Sequence, residues 1–161
     1  MTQKQSGLGY YRSPIGWLRV SVRDKALTGI ECVRAHSVQT GSRPLPRQVL
    51  GHLDRYFGGN PGLGGIRFEL DGTPFQKRVW KELRRIPWGR CVSYADLARA
   101  AGRPKAVRAV AGAVGKNPAA VLIPCHRVVG SDGSLTGYAY GLRKKAWLIG
   151  HEKRYNPPSS R

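Results

Sequence analysis

Leu18, Val20 and Val22 alternate with Arg19, Ser21 and Arg23, a period of two that predicts a half-buried strand over 17–23. Tyr10–Ser13 reads as its neighbour across a Pro14-Ile15-Gly16 turn, and Leu27–Val33 continues a small antiparallel sheet. Residues 1–7 read as a loose start and 34–44 as a polar loop. The period then lengthens. Val49, Leu50, Leu53, Tyr56 and Phe57 form one stripe and predict a helix over Arg47–Phe57. Gly58-Gly59-Asn60-Pro61-Gly62 ends it, the Gly-rich stretch to Gly65 is too irregular for a phosphate-binding loop, and Ile66–Leu70 reads as one more strand.

The second half carries stronger punctuation. Thr73-Pro74-Phe75-Gln76 supplies a hydroxyl cap, a proline at the first helical position and a glutamine three residues past the cap. Val79, Trp80, Leu83 and Ile86 then give a core face until Pro87-Trp88-Gly89. Ser93 and Asp96 make a second capping box ahead of Leu97 and Ala98, and Gly102 closes that short helix. Pro104 is expected to open the next, running to about Gly115, which makes a helix-turn-helix. Asn117-Pro118 stops it, and the apolar run Val121-Leu122-Ile123 predicts a buried strand that delivers Cys125 at its end. Gly130-Ser131-Asp132-Gly133 reads as a turn, Gly137–Gly141 as a loop, Leu142–Glu152 as a last helix and Tyr155–Arg161 as a loose tail.

Charge sharpens this picture. The 161 residues hold 28 Lys and Arg against 9 acids, a net charge of +19. Residues 1–72 have ten basic and five acidic side chains, whereas residues 73–161 have eighteen and four. An excess so large and so one-sided points to a polyanion, most simply nucleic acid. No 18-residue apolar run and no signal peptide is evident, so a soluble, intracellular protein is expected, cytoplasmic and associated with the nucleoid, or nuclear in a eukaryote. Cys32, Cys91 and Cys125 make neither a disulfide framework nor a CxxC pair. Cys32 and His36 are two metal-type ligands without a second pair, and neither metal nor cofactor is expected.

Candidate chemistry gathers at Cys125-His126-Arg127. A thiol is a nucleophile only as thiolate, and the cationic neighbours are expected to lower its pKa. Adjacent residues do not face one another on a helix, so His126 is expected to act on the thiol through a water or a bend. The second helix of the helix-turn-helix offers few base-reading side chains. Ala106, Ala109 and Ala113 are small enough for close approach to a minor groove, with Lys105 before them and Arg108 the one long polar group between. Such a helix grips backbone and shape with little sequence preference. An Ala-rich helix packed on a neighbour, with Arg108 merely solvated, fits the same residues.

These motifs in order resemble the O6-alkylguanine-DNA alkyltransferases. The resemblance runs through Gly72-Thr73-Pro74-Phe75-Gln76, Ile86-Pro87-Trp88-Gly89, Ser93-Tyr94, Arg108-Ala109-Val110, Asn117-Pro118, Ile123-Pro124-Cys125-His126-Arg127-Val128, Gly137-Tyr138, Gly141-Leu142 and His151-Glu152. It implies an α/β (α+β) fold class: an N-terminal antiparallel-sheet α/β domain over 1–71, then a mostly helical domain with a winged-helix-like helix-turn-helix over 72–155, and a tail over 156–161. It implies irreversible, single-turnover transfer of an alkyl group from O6-alkylguanine, with O4-alkylthymine a further substrate, to Cys125. His126 then serves as the base, Glu152 orients it, Asn117 supports the turn and Tyr94 donates to the purine. Arg108 fills the vacated stack, with Lys105, Ala106, Ala109, Ala113 and Arg127 at the DNA. Val128, Tyr138, Ala139 and Val114 belong to the base pocket, where the backbone at Cys125 and Val128 reads the exocyclic amine and bulky Tyr140 stands next to Ala139. The implied partner is double-stranded DNA, bound by a monomer through the minor groove with the base flipped. Ala139-Tyr140 departs from the Ser-Gly of many relatives. Other readings stay open: a helix-turn-helix regulator with Cys125 as sensor, a non-enzymatic alkyltransferase-like binder, and a cysteine hydrolase.

Overall fold

Two-residue turns build the first sheet. Strands β1 (Ser6–Ser13), β2 (Gly16–Arg23) and β3 (Ala26–Val33) pair antiparallel in the order 1-2-3. At the second turn Asp24 and Lys25 both have positive φ, 48° and 66°, the geometry whose twist matches a hairpin. This structure is a computed structural model that describes residues 6–61 and 65–156. The loose start expected over 1–7 gives way to strand from Ser6, and its first five residues lie outside the described residues. The polar loop over 34–44 includes a short 3-10 turn, Ala35–Ser37.

Helix α1 (Arg47–Phe57) keeps its expected bounds, but its buried stripe is Val49, His52, Leu53 and Tyr56. Leu50 and Phe57 sit at its margin, where Phe57 stacks on Tyr11 at 5.9 Å between ring centres. Leu18, Val20, Leu27, Ile30, Leu53 and Tyr56 are all buried and form the core of this unit. The strand expected over 66–70 shrinks to one bridge, Phe68 to Leu27, closed by Leu27 N–H to Arg67 O (2.8 Å) and Glu69 N–H to Leu27 O (2.9 Å). A second short segment bridges that edge at Ile30, whose N–H donates to Pro118 O (2.9 Å) and whose carbonyl accepts from Ala120 N–H (3.0 Å). The open side of β3 is thereby engaged at Leu27 and Ile30, which blunts it as a sticky edge. Contacts accordingly place Pro118–Ala120 with the residues up to Asp71 in one compact unit, and Gly72–Asn117 with the chain from Val121 onward in the other.

The second unit starts with α2 (Pro74–Leu83). Its capping box is complete: Gln76 N–H donates to Thr73 Oγ1 (3.2 Å) and Thr73 N–H to Gln76 Oε1 (2.9 Å). Val79, Trp80 and Leu83 are buried. Strand β4 (Val92–Ser93) leads into α3 (Tyr94–Ala100), capped reciprocally by Ser93 and Asp96. Helix α4 (Val107–Gly115) begins three residues later than Pro104 suggested. Arg103 N–H returns to Ala98 O and Ala106 N–H to Arg103 O, so Pro104 and Lys105 are spent on a turn. Helices α2, α3 and α4 pack against one another, with Trp80 Nε1 donating to Ala113 O at 2.9 Å.

The cysteine strand is absent. Val121 adopts a positive φ of 72°, which a β-branched residue rarely tolerates, and the apolar run is an irregular buried turn. A 3-10 turn, Cys125–Arg127, follows, and only then β5 (Val128–Val129), parallel to β4. A fully apolar stretch signals burial without fixing backbone type, which is why it read as strand. Helix α5 (Leu142–Tyr155) runs three residues past its expected end. Of the expected tail, Asn156 is tied by its Nδ2 to Trp88 O (2.7 Å), and 157–161 lie outside the described residues. Among the described residues no helix is long and apolar enough to cross a membrane.

Replacing Thr73 by Ala is expected to cost about 1 kcal/mol, the usual loss for an N-cap hydroxyl. Urea unfolding of the two proteins measures it, and an unchanged midpoint would deny the box a structural role.

Candidate active site

Asn117 fixes the cysteine. Helix α4 ends just before it, and its side-chain Nδ2 donates both to Ile123 O (2.7 Å) and to the Sγ of Cys125 (3.0 Å). One amide therefore holds the approach to the 3-10 turn and the thiol at its start. Cys125 is 7% exposed. Burial pushes its thiol above the ordinary value, although the Asn117 amide, the Lys145 charge and the backbone N–H groups of Cys125 and His126 pull the other way. The expectation of a lowered pKa from His126 and Arg127 is thus corrected: desolvation wins, and both neighbours are committed elsewhere.

They are committed to Glu152. His126 Nε2 lies 2.6 Å from Glu152 Oε1, Arg127 Nε donates to Oε2 (2.8 Å) and Nη2 to Oε1 (3.0 Å), and Gly89 N–H reaches Oε2 (3.1 Å). His126 is 0%, Glu152 1% and Arg127 6% exposed. Burial alone would raise the carboxyl, but the hydrogen bonds and charges of His126 and Arg127 reverse that and hold it at about 2. The imidazole moves down, because burial disfavours its charged form more than Glu152 favours it. Arg127 also donates to Ile86 O and lies 5.9 Å from the Trp88 ring. It was expected at the DNA; it is instead a buried strut, since a guanidinium with three acceptors satisfied has no exposed face to offer. Gly89, at φ 73°, makes room for Asn156, which a Cβ there would strike at 2.7 Å.

Cys125 lines a cavity of about 200 Å³ together with Tyr94, Val114, Asn117, Tyr138 and Ala139, all expected at the site. Ala111, Gly115, Gly137 and Tyr140 complete it; Tyr140 is the bulky residue that the sequence sets beside the pocket, and the other three are not anticipated as lining. Tyr140 meets Tyr138 edge to face at 5.7 Å. Val128 is buried in β5 and is not among the lining residues, so the part expected of it there is one for its backbone. The Tyr94 hydroxyl donates to Thr136 O (3.2 Å), and its pKa is raised by burial and then by the Cys125 charge. Lys105, Arg108 and Ala109 are exposed and Ala106 partly so. Ala113 is not: it is 4% exposed and packs toward α2, so it is removed from the candidate DNA face. Sequence reasoning also missed Lys145, wholly buried on α5. Its one available signal was its place seven residues, two turns, before Glu152 on the same helix face.

Fold and site together define a helix-turn-helix protein built around a cysteine-floored cavity. The family model described as 6-O-methylguanine DNA methyltransferase, DNA binding domain, matches residues 74–154. A methylated-DNA–protein-cysteine methyltransferase of Mycolicibacterium paratuberculosis is 41% identical over 152 residues, 91% of this chain and 92% of that one. The crystal structure of the Mycobacterium tuberculosis O6-methylguanine methyltransferase superposes with a TM-score of 0.83 at 36% identity, covering 97% of each chain. The Mycobacterium tuberculosis OGT in complex with DNA does so at 0.81 and 38%, covering 91% of this chain and 92% of that one. The chain belongs to the methylated-DNA–protein-cysteine methyltransferase family.

Because the folded carboxyl of Glu152 titrates at about 2 and its ordinary value is 4.5, its stabilisation is complete above 4.5 and is lost as pH falls toward 2. Glu152→Gln is expected to lower stability at neutral pH by roughly 3 kcal/mol, since it strands His126 and Arg127. Denaturant unfolding across that acid range checks it: the variant's stability is expected to vary less with pH than the wild type's.

Proposed function

We propose that the chain repairs DNA by direct reversal, taking the alkyl group of O6-alkylguanine onto Cys125. The observation that carries this reading is the Cys125 thiol at the floor of a cavity of about 200 Å³, with the Asn117 amide on its sulfur. The thiol proton passes through a water to neutral His126, whose other nitrogen is held by Glu152. The sulfur then attacks the alkyl carbon in line, the carbon–oxygen bond breaks, and its electron pair leaves with the guanine. Tyr94 turns its hydroxyl to the purine as that charge builds, and the backbone N–H at Ala139 serves the oxygen. Tyr138 walls the base. The product is an S-alkyl cysteine, which nothing in this scheme reverses, so each molecule acts once. O4-alkylthymine presents the same alkyl–oxygen bond.

The target base must leave the duplex, at a cost of a few kcal/mol. The exposed Lys105, Ala106, Arg108 and Ala109 meet the minor groove, where small side chains allow close approach. Arg108 occupies the gap in the stack. The eighteen basic residues beyond Gly72 supply phosphate contacts that salt weakens. The protein works as a monomer, in whichever compartment holds the DNA, and the chemistry stays within residues 72–155.

Incubation with duplex DNA carrying O6-methylguanine, followed by intact mass, tests the reading. Wild type, Cys32→Ser and Cys91→Ser are each expected to gain one methyl, and Cys125→Ser none while keeping its DNA affinity. Methyl uptake by the Cys125→Ser protein would refute the assignment.

Arg108→Ala is expected to slow repair of duplex DNA by about tenfold or more while leaving reaction with free O6-benzylguanine near wild type, because the free base needs no flipping. Equal losses on both substrates would return Arg108 to a solvated surface role.

A further inference from the structure

Lys145 is the one lysine among the described residues that is fully buried, and the scheme above makes no use of it. Its Nζ donates to Thr136 O (2.8 Å) and Gly137 O (3.1 Å) and lies 5.9 Å from the Tyr94 ring. Thr136 O is the same oxygen that accepts the Tyr94 hydroxyl at 3.2 Å. Gly137 opens the stretch that walls the cavity up to Tyr140, and at φ 58° its backbone passes so close that a Cβ would stand 3.5 Å from the Tyr94 hydroxyl. A buried ammonium is costly unless its donors are met, so two carbonyls aimed at one Nζ mark a deliberate anchor.

We propose that Lys145 is a positioning residue for alkyl transfer: its ammonium fixes the Thr136–Gly137 backbone that carries the cavity wall, releases the Tyr94 hydroxyl for the substrate, and sets positive charge toward the reacting sulfur. The release follows from sharing. When Tyr94 turns to the purine, Thr136 O keeps its bond to Lys145, so no buried acceptor is stranded. The charge acts where it is needed, since Lys145 opposes the upward push of burial on the Cys125 thiol. Burial draws the lysine itself downward, with Cys125 and Cys91 opposing. Three neighbouring groups feel this pair: Tyr94 on α3 the charge of Cys125, and Cys91 ahead of β4 and His126 in the 3-10 turn that of Lys145.

This inference rests on Cys125 being the acceptor, and the test separates the two. In a Cys32→Ser, Cys91→Ser background, thiolate absorbance is followed against pH, with the matching Cys125→Ser protein subtracted, and methyl uptake from O6-methylguanine duplex is timed. Lys145→Gln keeps a donor for the carbonyls and removes the charge. Its thiol titration is expected to move up and its transfer to slow by about tenfold, with DNA affinity unchanged. Lys145→Arg keeps the charge and is expected to keep the wild-type titration. An unshifted titration with wild-type transfer in Lys145→Gln overturns the proposal, as does a Lys145→Arg thiol displaced as far as that of Lys145→Gln. No methyl uptake by the unmutated background protein would instead defeat the repair reading itself.

Discussion

The second unit is assembled around one buried carboxylate. Glu152 is 1% exposed, and a charge so placed persists only when every lone pair is met. Four donors meet it, from three residues in two places: Gly89 after α2, and His126 and Arg127 from the 3-10 turn, all brought to a residue of α5. Each donor is a constraint on the chain that bears it. Pro87-Trp88-Gly89 has to turn so that an N–H points inward, and the turn after Pro124 has to direct two consecutive side chains to one acceptor. The cysteine is carried along. Its position is a by-product of satisfying Glu152 from one side and the Asn117 amide from the other.

That arrangement sets the protonation states with which the site rests. Burial keeps the Cys125 thiol protonated and the His126 imidazole neutral, while Glu152 stays ionised. A neutral imidazole is the form that accepts a proton, and a carboxylate on its far nitrogen stabilises the cation that results. A thiol held as thiol is also sheltered from casual oxidation and alkylation, since the thiolate is the reactive form. If each molecule acts once, as proposed, a nucleophile that rests as thiol and becomes competent only by passing its proton on avoids wasting the molecule on solvent electrophiles.

Local signals were legible in the sequence where they were self-contained. The boxes of Thr73 with Gln76 and Ser93 with Asp96 each need four residues, and both helices start where those residues say. The alternation around Leu18 and the stripe of α1 needed little more. Failures came where distant partners decided the outcome. Pro104 lies in a turn because Arg103 bonds back to Ala98. The run before Cys125 is a turn because Asn117 reaches across it to Ile123. Arg127 is expected at the DNA and Lys145 goes unremarked because basic residues almost always lie outside, and no local pattern announces the carboxylate or carbonyls that bury them. Cys125 and His126 stand out by their own chemistry, whereas the catalytic parts of Asn117 and Glu152 come only through the resemblance. Their spacing alone said nothing of the 2.6 Å contact between His126 and Glu152.

Helix α4 shows how one short element serves two purposes. Val110, Ala113 and Val114 are buried, and Ala113 offers its carbonyl to Trp80. Arg108 and Ala109 are exposed, and Gly112 has nothing within 4 Å of where a Cβ would stand. The inner face of α4 is therefore fixed by apolar packing while the outer face is kept small. A helix bearing large side chains outward would be held off by their length. One with alanine and glycine outward brings its backbone close to whatever it meets, so a single long residue, Arg108, projects beyond the rest. The missing side chains are thus as informative as the one present: they describe a surface that presses close at every point but one, and reaches at that one.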